Sequence, residues 1–299
     1  MSLPNEQMPG QRPEYPLGFA DEAAAAPVEL ADEFNQPPWD VLASLGLWVL
    51  SIFLVFVVPT LIALPYILFR YAGTNTPTQV LATDPTVLLF SVLGVIPAHV
   101  LTFGAAWAIV TNYGKRPFWR TLGWSFSPAF GFWASASLAI TLYIVGIILA
   151  QLIGGNPTDI DILANSSLAV RLLLAVLATT TGPLVEEIVY RGVLYPSFEK
   201  RIGMVWAVIL VSFLFLLVHV YQYRNSLGAI SVIALLSVSL TLVRARTGKL
   251  LPCFIMHMVF NGAVSVMIIL YPYLEQFQKG AGQKPPAGIA LNCLLSLCA

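Results

Sequence analysis

Long apolar runs separated by short polar loops dominate the chain from residue 41 onward. A helix needs about 20 predominantly apolar residues to cross a bilayer, and seven segments approach or exceed that length. The predicted spans are 41–69, 86–111, 130–153, 168–190, 203–220, 227–243 and 250–270. A further apolar stretch at 289–298 is too short to cross alone. The pattern predicts an all-α polytopic transmembrane helical bundle with seven clear spans and a short C-terminal apolar element.

Composition agrees with a membrane location. The chain has 299 residues, of which 58% are hydrophobic and 10% charged, and its mean hydropathy is +0.79, far above what a soluble domain carries. The formal net charge is zero, which gives no sign of a nucleic-acid partner. Cys253, Cys293 and Cys298 are too few and too scattered for a disulfide or zinc framework.

The chain divides into four regions. Residues 1–40 contain eight acidic residues and one base and are predicted to form a disordered acidic N-terminal tail. Residues 41–167 are predicted to form N-terminal transmembrane helices with an interfacial segment at Lys115–Phe126. Residues 168–270 hold the candidate chemistry, and residues 271–299 form a C-terminal tail with the short apolar element.

Basic residues indicate the orientation, because they concentrate in loops on the cytosolic side of a membrane. With a cytosolic N-terminus, the inner loops carry Lys115, Arg116, Arg120, Lys200, Arg201, Arg244, Arg246 and Lys249. The outer loops carry mainly aspartates. We therefore expect the N-terminus to be cytosolic.

An adjacent acidic pair, Glu186–Glu187, lies at the end of the fourth predicted span and is followed by Arg191. One ionised carboxylate at bilayer depth costs roughly 2.5–3.5 kcal/mol, so two adjacent ones indicate function. On a helix, Glu187 and Arg191 share a face and can pair. Glu186 points about 100° away, which leaves it available as a general base.

Polar side chains recur in two later spans. His219 follows Phe215 by one turn, so an aromatic wall can fix the imidazole rotamer. His257 and Asn261 are four residues apart on one helical face, and together they offer the donors of an oxyanion hole. His99 has no polar neighbour at helical spacing, and a structural role beside Pro97 is expected for it.

These motifs resemble those of the CAAX-prenyl-protease and bacteriocin-processing (Abi) family of intramembrane glutamate endopeptidases. They are EEIVYR (Glu186–Arg191), FLLVH (Phe215–His219) and HMVFN (His257–Asn261), and the resemblance covers about residues 168–270. It implies that Glu186 and His219 activate water, that His257 and Asn261 stabilise the oxyanion, and that Glu187, Arg191 and Phe215 support the site. It implies no cofactor, a bilayer setting and a peptide or lipidated protein substrate.

Depth along the helices adds one requirement. His219 lies 16 residues into its span, about 24 Å along a helix. Glu186 can meet it only if the fourth helix continues through Gly192–Phe198. We therefore predict this continuation, with Pro183 bending the helix above the site.

Several alternatives stay open. A zinc ion held by Glu186, His219 and His257 is chemically possible, although the sequence contains no HExxH motif. A transporter with a proton relay, or a non-catalytic immunity protein, also accounts for buried charges. The family's breadth favours a prokaryotic plasma membrane. The sequence does not indicate the substrate or the oligomeric state.

Overall fold

The computed structural model describes residues 37–280, and the described part of the chain is helical without a named strand. The helices are α1 Val41–Tyr71, α2 Thr78–Thr83, α3 Pro85–Thr111, α4 Phe118–Thr121, α5 Phe132–Ile153, α6 Asp159–Ala164, α7 Leu168–Thr179, α8 Thr181–Glu187, a π-helix Ile188–Leu194, α9 Tyr195–Tyr223, α10 Leu227–Thr247 and α11 Leu251–Gly280. The all-α membrane bundle is thus confirmed. The predicted acidic tail, up to residue 36, and the apolar element at 289–298 lie outside the described residues.

Side-chain caps mark where several of these helices begin. Asp40 accepts from the Ala43 backbone N–H at the start of α1. Asp84 accepts from two backbone N–H groups at the start of α3, where Pro85 occupies the first helical position. Ser167 and Ser226 cap α7 and α10 in the same way, because a short polar side chain satisfies the otherwise unpaired first N–H groups.

Six helical runs among the described residues are long and apolar enough to cross a membrane, which corrects the predicted count of seven. The difference arises between residues 168 and 223, where two predicted spans join in one run of 56 residues. At 1.5 Å per residue this run is about 84 Å long, whereas the hydrocarbon core is about 30 Å thick. It must therefore turn back inside its own length.

The turn lies at Gly203. This residue has φ 78° and ψ 166°, non-helical values inside α9 that glycine adopts without steric penalty. Tyr190, 13 residues before it, contacts Phe215, 12 residues after it, with ring centroids 4.9 Å apart. The run is therefore an antiparallel helical hairpin, and its two arms bring the EExxxR segment beside His219.

The first and third helices pack closely on one side of this hairpin. A Cβ added at Gly94 would lie 2.5 Å from the Pro59 Cα, so α1 and α3 cross at a point that only glycine permits. α1 also contacts the π-helix, and α10 and α11 lie against α5 on the other side.

The predicted interfacial segment, Lys115–Phe126, lies beneath the π-helix. Phe118 and Leu122 are buried in the same core as Val193 and Leu250. The Leu250 backbone N–H donates to the Gly123 carbonyl at 2.9 Å. This segment therefore packs into the end of the bundle while Trp119 stays 42% exposed.

Candidate active site

A helix break positions Glu186. Thr180, with φ −117° and ψ −80°, separates α7 from α8. Pro183 follows within one turn and has no N–H with which to continue the ladder from Thr179. The bend that the sequence predicts at Pro183 therefore lies three residues earlier, at Thr180.

The helix continues past Glu187 as a π-helix. The Tyr195 N–H donates to the Tyr190 carbonyl, five residues back, and Pro196 next to it cannot donate at all. The predicted helical continuation through Gly192–Phe198 is present. The wider π register is a feature that sequence periodicity did not indicate.

α1 holds this π-helix from one side. The Trp39 indole donates to the Val193 carbonyl at 2.9 Å, and the Trp48 indole donates to the Tyr190 hydroxyl at 3.0 Å. The two tryptophans lie nine residues apart, Trp39 just before α1 and Trp48 within it, and they fix the face of the π-helix that turns toward α1.

Glu187 and Arg191 form the pair that their spacing predicts. Both side chains are fully buried, and Arg191 Nη1 lies 2.8 Å from Glu187 Oε1. The remaining guanidinium nitrogens donate to α10, to the Thr241 hydroxyl and to the carbonyl and hydroxyl of Ser237. The guanidinium also stacks over the Phe215 ring at 4.7 Å. Every guanidinium nitrogen therefore has a partner, which offsets part of the desolvation of this pair, whereas the buried Glu187 Oε2 has no hydrogen-bond partner among the described residues.

His257 reaches the same pair from α11. Its Nδ1 lies 2.8 Å from Glu187 Oε1, the oxygen that Arg191 also contacts. The Nδ1 proton therefore points at a carboxylate, which fixes the ring orientation. The other nitrogen, Nε2, lies 3.7 Å from Glu186 Oε2.

His219 is held by its own helix. Its Nδ1 lies 2.8 Å from the Phe215 carbonyl, and because a carbonyl only accepts, Nδ1 carries the proton. Nε2 of the neutral ring is then an acceptor. The Phe215 ring stacks on the imidazole with centroids 4.5 Å apart and planes 25° from parallel, so the predicted aromatic wall is present.

Asn261 completes the set at the helix break. Its Nδ2 donates to the Ala178 carbonyl at 2.9 Å, and an amide nitrogen has a second N–H to offer. The neighbouring Thr179 hydroxyl donates to Ser265, also on α11. These two hydrogen bonds attach α11 to the end of α7, and they fix the orientation of the Asn261 side chain.

The four candidate catalytic side chains share one cavity. A cavity of about 250 Å³ is lined by Glu186, His219, His257 and Asn261. A smaller cavity of about 130 Å³ shares Glu186 and His219 and extends to α1. It reaches the outer surface of the bundle, where its lining residue Phe56 is 56% exposed.

Within the described residues, no three His, Cys, Asp or Glu side chains are placed to hold a metal ion. Glu186, His219 and His257 line one cavity. A carboxylate, an acceptor imidazole and an adjacent donor pair suit water activation and anion stabilisation.

Sequence reasoning missed three contributions to this site. His99 lines both cavities and contacts Thr181 at 3.0 Å, although a structural role was expected for it. Gln222, one turn after His219, also lines both. Ser237 and Thr241 accept hydrogen bonds from Arg191. Their four-residue spacing in an apolar span was the signal in the sequence that could have indicated this role.

The bundle and its buried polar cavity define a multi-pass membrane protein with the equipment of a hydrolase. Residues 168–263 match the family model described as type II CAAX prenyl endopeptidase Rce1-like. Over this segment the chain is similar to the CAAX-prenyl-protease family that the motifs indicated, and the match supports a membrane-embedded protease. No curated protein and no solved structure matches the chain.

Proposed function

We propose that this protein is an intramembrane endopeptidase that hydrolyses a peptide bond of a membrane-associated substrate with water activated by Glu186 and His219. The observation that carries the proposal is the shared cavity. Glu186 on α8, His219 on α9, and His257 and Asn261 on α11 line one space inside an otherwise apolar bundle.

The reaction begins with a water molecule between Glu186 and His219. His219 Nε2 accepts one hydrogen bond from this water, and the Glu186 carboxylate takes its proton as the oxygen attacks the substrate carbonyl. Collapse of the tetrahedral intermediate breaks the C–N bond. Glu186 then gives the proton to the leaving amine, so the carboxylate is regenerated.

The oxyanion forms beside α11. The second N–H of Asn261 and a protonated Nε2 of His257 are its proposed donors. Glu187 stabilises the imidazolium through Nδ1, as the carboxylate of a catalytic triad does. With Arg191 and this imidazolium, the two glutamates are balanced by two positive charges.

The family match and the smaller cavity support a proposed substrate class. An opening toward lipid beside α1 suits a lipid-linked peptide, and a prenylated CAAX-like tail or a leader peptide fits this description. The bundle is proposed to lie in a plasma membrane with its N-terminus cytosolic, as the basic loops favour.

The test is cleavage in proteoliposomes of a farnesylated CAAX-type tail and its unmodified counterpart. Wild type is compared with Glu186→Ala and His219→Ala, with Glu199→Gln as a matched control, since Glu199 lines neither cavity. We expect loss of cleavage of roughly 10²–10⁴-fold in both alanine variants and none in the control. Equal cleavage by all proteins would remove the mechanism.

Metal dependence needs its own measurement. The metal-independent mechanism predicts less than one equivalent of zinc in purified active protein, and activity that survives removal of zinc by a chelator. Stoichiometric zinc whose removal abolishes cleavage would favour the zinc alternative.

A further inference from the structure

The two cavities meet at a small set of side chains. They share Val55, His99, Glu186, His219 and Gln222. Four of these five are polar, in a bundle whose cavities are otherwise mainly apolar. A chain that passes from one cavity to the other must pass this junction.

His99 and Gln222 are the junction residues that the proposed reaction does not use. His99 comes from α3 and Gln222 from α9, so they approach the junction from different helices. His99 and Gln222 line both cavities together with the Glu186 carboxylate. Both side chains therefore flank the proposed general base.

The His99 ring is held in place while one nitrogen stays available. Its Nδ1 and the Thr181 hydroxyl lie 3.0 Å apart, at the first residue of α8. If the hydroxyl donates, Nε2 carries the proton and is a donor; if it accepts, Nε2 is an acceptor. Either tautomer offers one oriented hydrogen-bonding atom.

Other polar side chains of the cavities are already engaged. The hydroxyls of Ser51 and Thr102 donate to carbonyls of their own helices. Tyr190 is buried, and its hydroxyl accepts from Trp48. By contrast, the Gln222 amide has no side-chain hydrogen bond within residues 37–280.

A peptide at membrane depth needs such partners. Each unpaired backbone N–H or C=O in a dry interior costs several kcal/mol, and an extended substrate cannot satisfy these groups itself. The reacting carbonyl has Asn261 and His257, but the adjacent peptide units need other donors and acceptors.

We propose that the His99 imidazole and the Gln222 amide form a main-chain clamp that hydrogen-bonds the substrate backbone next to the scissile bond. The clamp takes an extended peptide of any side-chain sequence, with Thr181 as the residue that orients His99. This inference rests on the proposed function, because it places the scissile bond at Glu186.

Binding measured without turnover tests the clamp separately from catalysis. In the full-length Glu186→Gln protein, the Kd of a fluorescently labelled, farnesylated CAAX-type tail is measured by anisotropy. Adding His99→Phe or Gln222→Leu should raise Kd about tenfold, the effect of one lost hydrogen bond. Thr60→Val and Thr141→Val, whose hydroxyls bond their own helices and line neither cavity, should leave Kd unchanged.

A substrate change gives a second readout that needs no further protein variant. Replacing single amides of the tail by esters removes one N–H at a time. At one position the ester should weaken binding to the Glu186→Gln parent about tenfold, with no further loss when His99→Phe or Gln222→Leu is also present.

The outcomes separate the two proposals. Unchanged Kd in both clamp variants, or fully additive ester losses at every position, would overturn the clamp. If Kd rises as expected in the His99→Phe and Gln222→Leu variants but wild type does not cleave the tail, the clamp is supported and the proposed hydrolysis is contradicted.

Discussion

α1 and α11 are both apolar enough to span a bilayer, yet they are buried to very different degrees. In the most apolar window of α1, 11% of residues are buried, against 50% in α10 and α11. α1 exposes Phe53, Phe56 and Phe69 to its surroundings. Lipid tails are as apolar as these side chains, so no hydrophobic force drives them inward.

Polar contacts distinguish the two regions. In the outer part of α1, the Ser51 and Thr60 hydroxyls bond carbonyls of their own helix, so these residues hold no neighbour. In α11, His257 and Asn261 bond groups on α8 and α7. In this bundle, hydropathy therefore locates helices, whereas buried polar side chains decide which helices form the interior and where the site lies.

The largest expected effect is on stability, at the centre of the polar region. Arg191→Met leaves the buried Glu187 carboxylate without its guanidinium and should cost about 3–5 kcal/mol. Thermal unfolding in detergent measures this loss. The double change Glu187→Gln with Arg191→Met should recover part of it; a double variant less stable than Arg191→Met would contradict the pairing.

The next effect separates chemistry from packing within α11. Asn261→Ala removes a proposed oxyanion donor and should lower kcat about 10²–10³-fold. The lost bond to Ala178 should cost only about 1 kcal/mol of stability. Steady-state kinetics and unfolding of the same preparation check both, and a kcat within threefold of wild type would remove the oxyanion role.

A smaller effect is expected where the outer region meets the inner one. Trp48→Phe keeps the ring but removes the donor to Tyr190, and should reduce stability by about 1 kcal/mol. The matched change Trp133→Phe alters an indole that is 79% exposed and should be neutral. Equal losses in these two variants would show that the α1 contact does not stabilise the π-helix.

The smallest effect lies outside the membrane, at the start of α3. The Tyr71 hydroxyl and two backbone N–H groups donate to Asp84 and hold the pKa of this carboxyl below its usual value. A lowered folded-state pKa stabilises the protein above the unfolded pKa, and this contribution disappears as the pH falls through the folded pKa.

Asp84→Asn keeps the cap but not the charge, so it should cost about 0.5 kcal/mol at pH 7. The difference from wild type should vanish as the pH falls from 7 through the lowered pKa of Asp84. Unfolding curves across this range measure it, and a pH-independent difference would show that the charge is not responsible.

Much of this architecture could be predicted from the residues. The apolar runs predicted the helices, and the spacing of Glu187 and Arg191 predicted their contact, because helix geometry relates positions four apart. The sequence predicted the two arms of the hairpin as separate spans. It did not predict that they belong to one continuous helical run. The turn lies at Gly203, whose backbone angles are non-helical, whereas the predicted loop had no specified geometry.

Contacts between helices that are distant along the chain could not be predicted from the sequence. Nothing in the spacing of His99 connects it with Thr181, 82 residues away, because such pairs arise from packing rather than from helical period. The π-helix at Ile188–Leu194 likewise has no signature in the hydrophobic pattern. The roles of the four candidate catalytic residues stay predictions until activity is measured.

The central claim is that Glu186 and His219 act as a unit on one water molecule. Single-turnover cleavage rates of wild type, Glu186→Gln, His219→Gln and the double variant measure this directly. Groups that act together give strongly non-additive losses, so the double variant should cleave no more slowly than the slower single variant. Multiplied losses, or a single variant as fast as wild type, would contradict the claim.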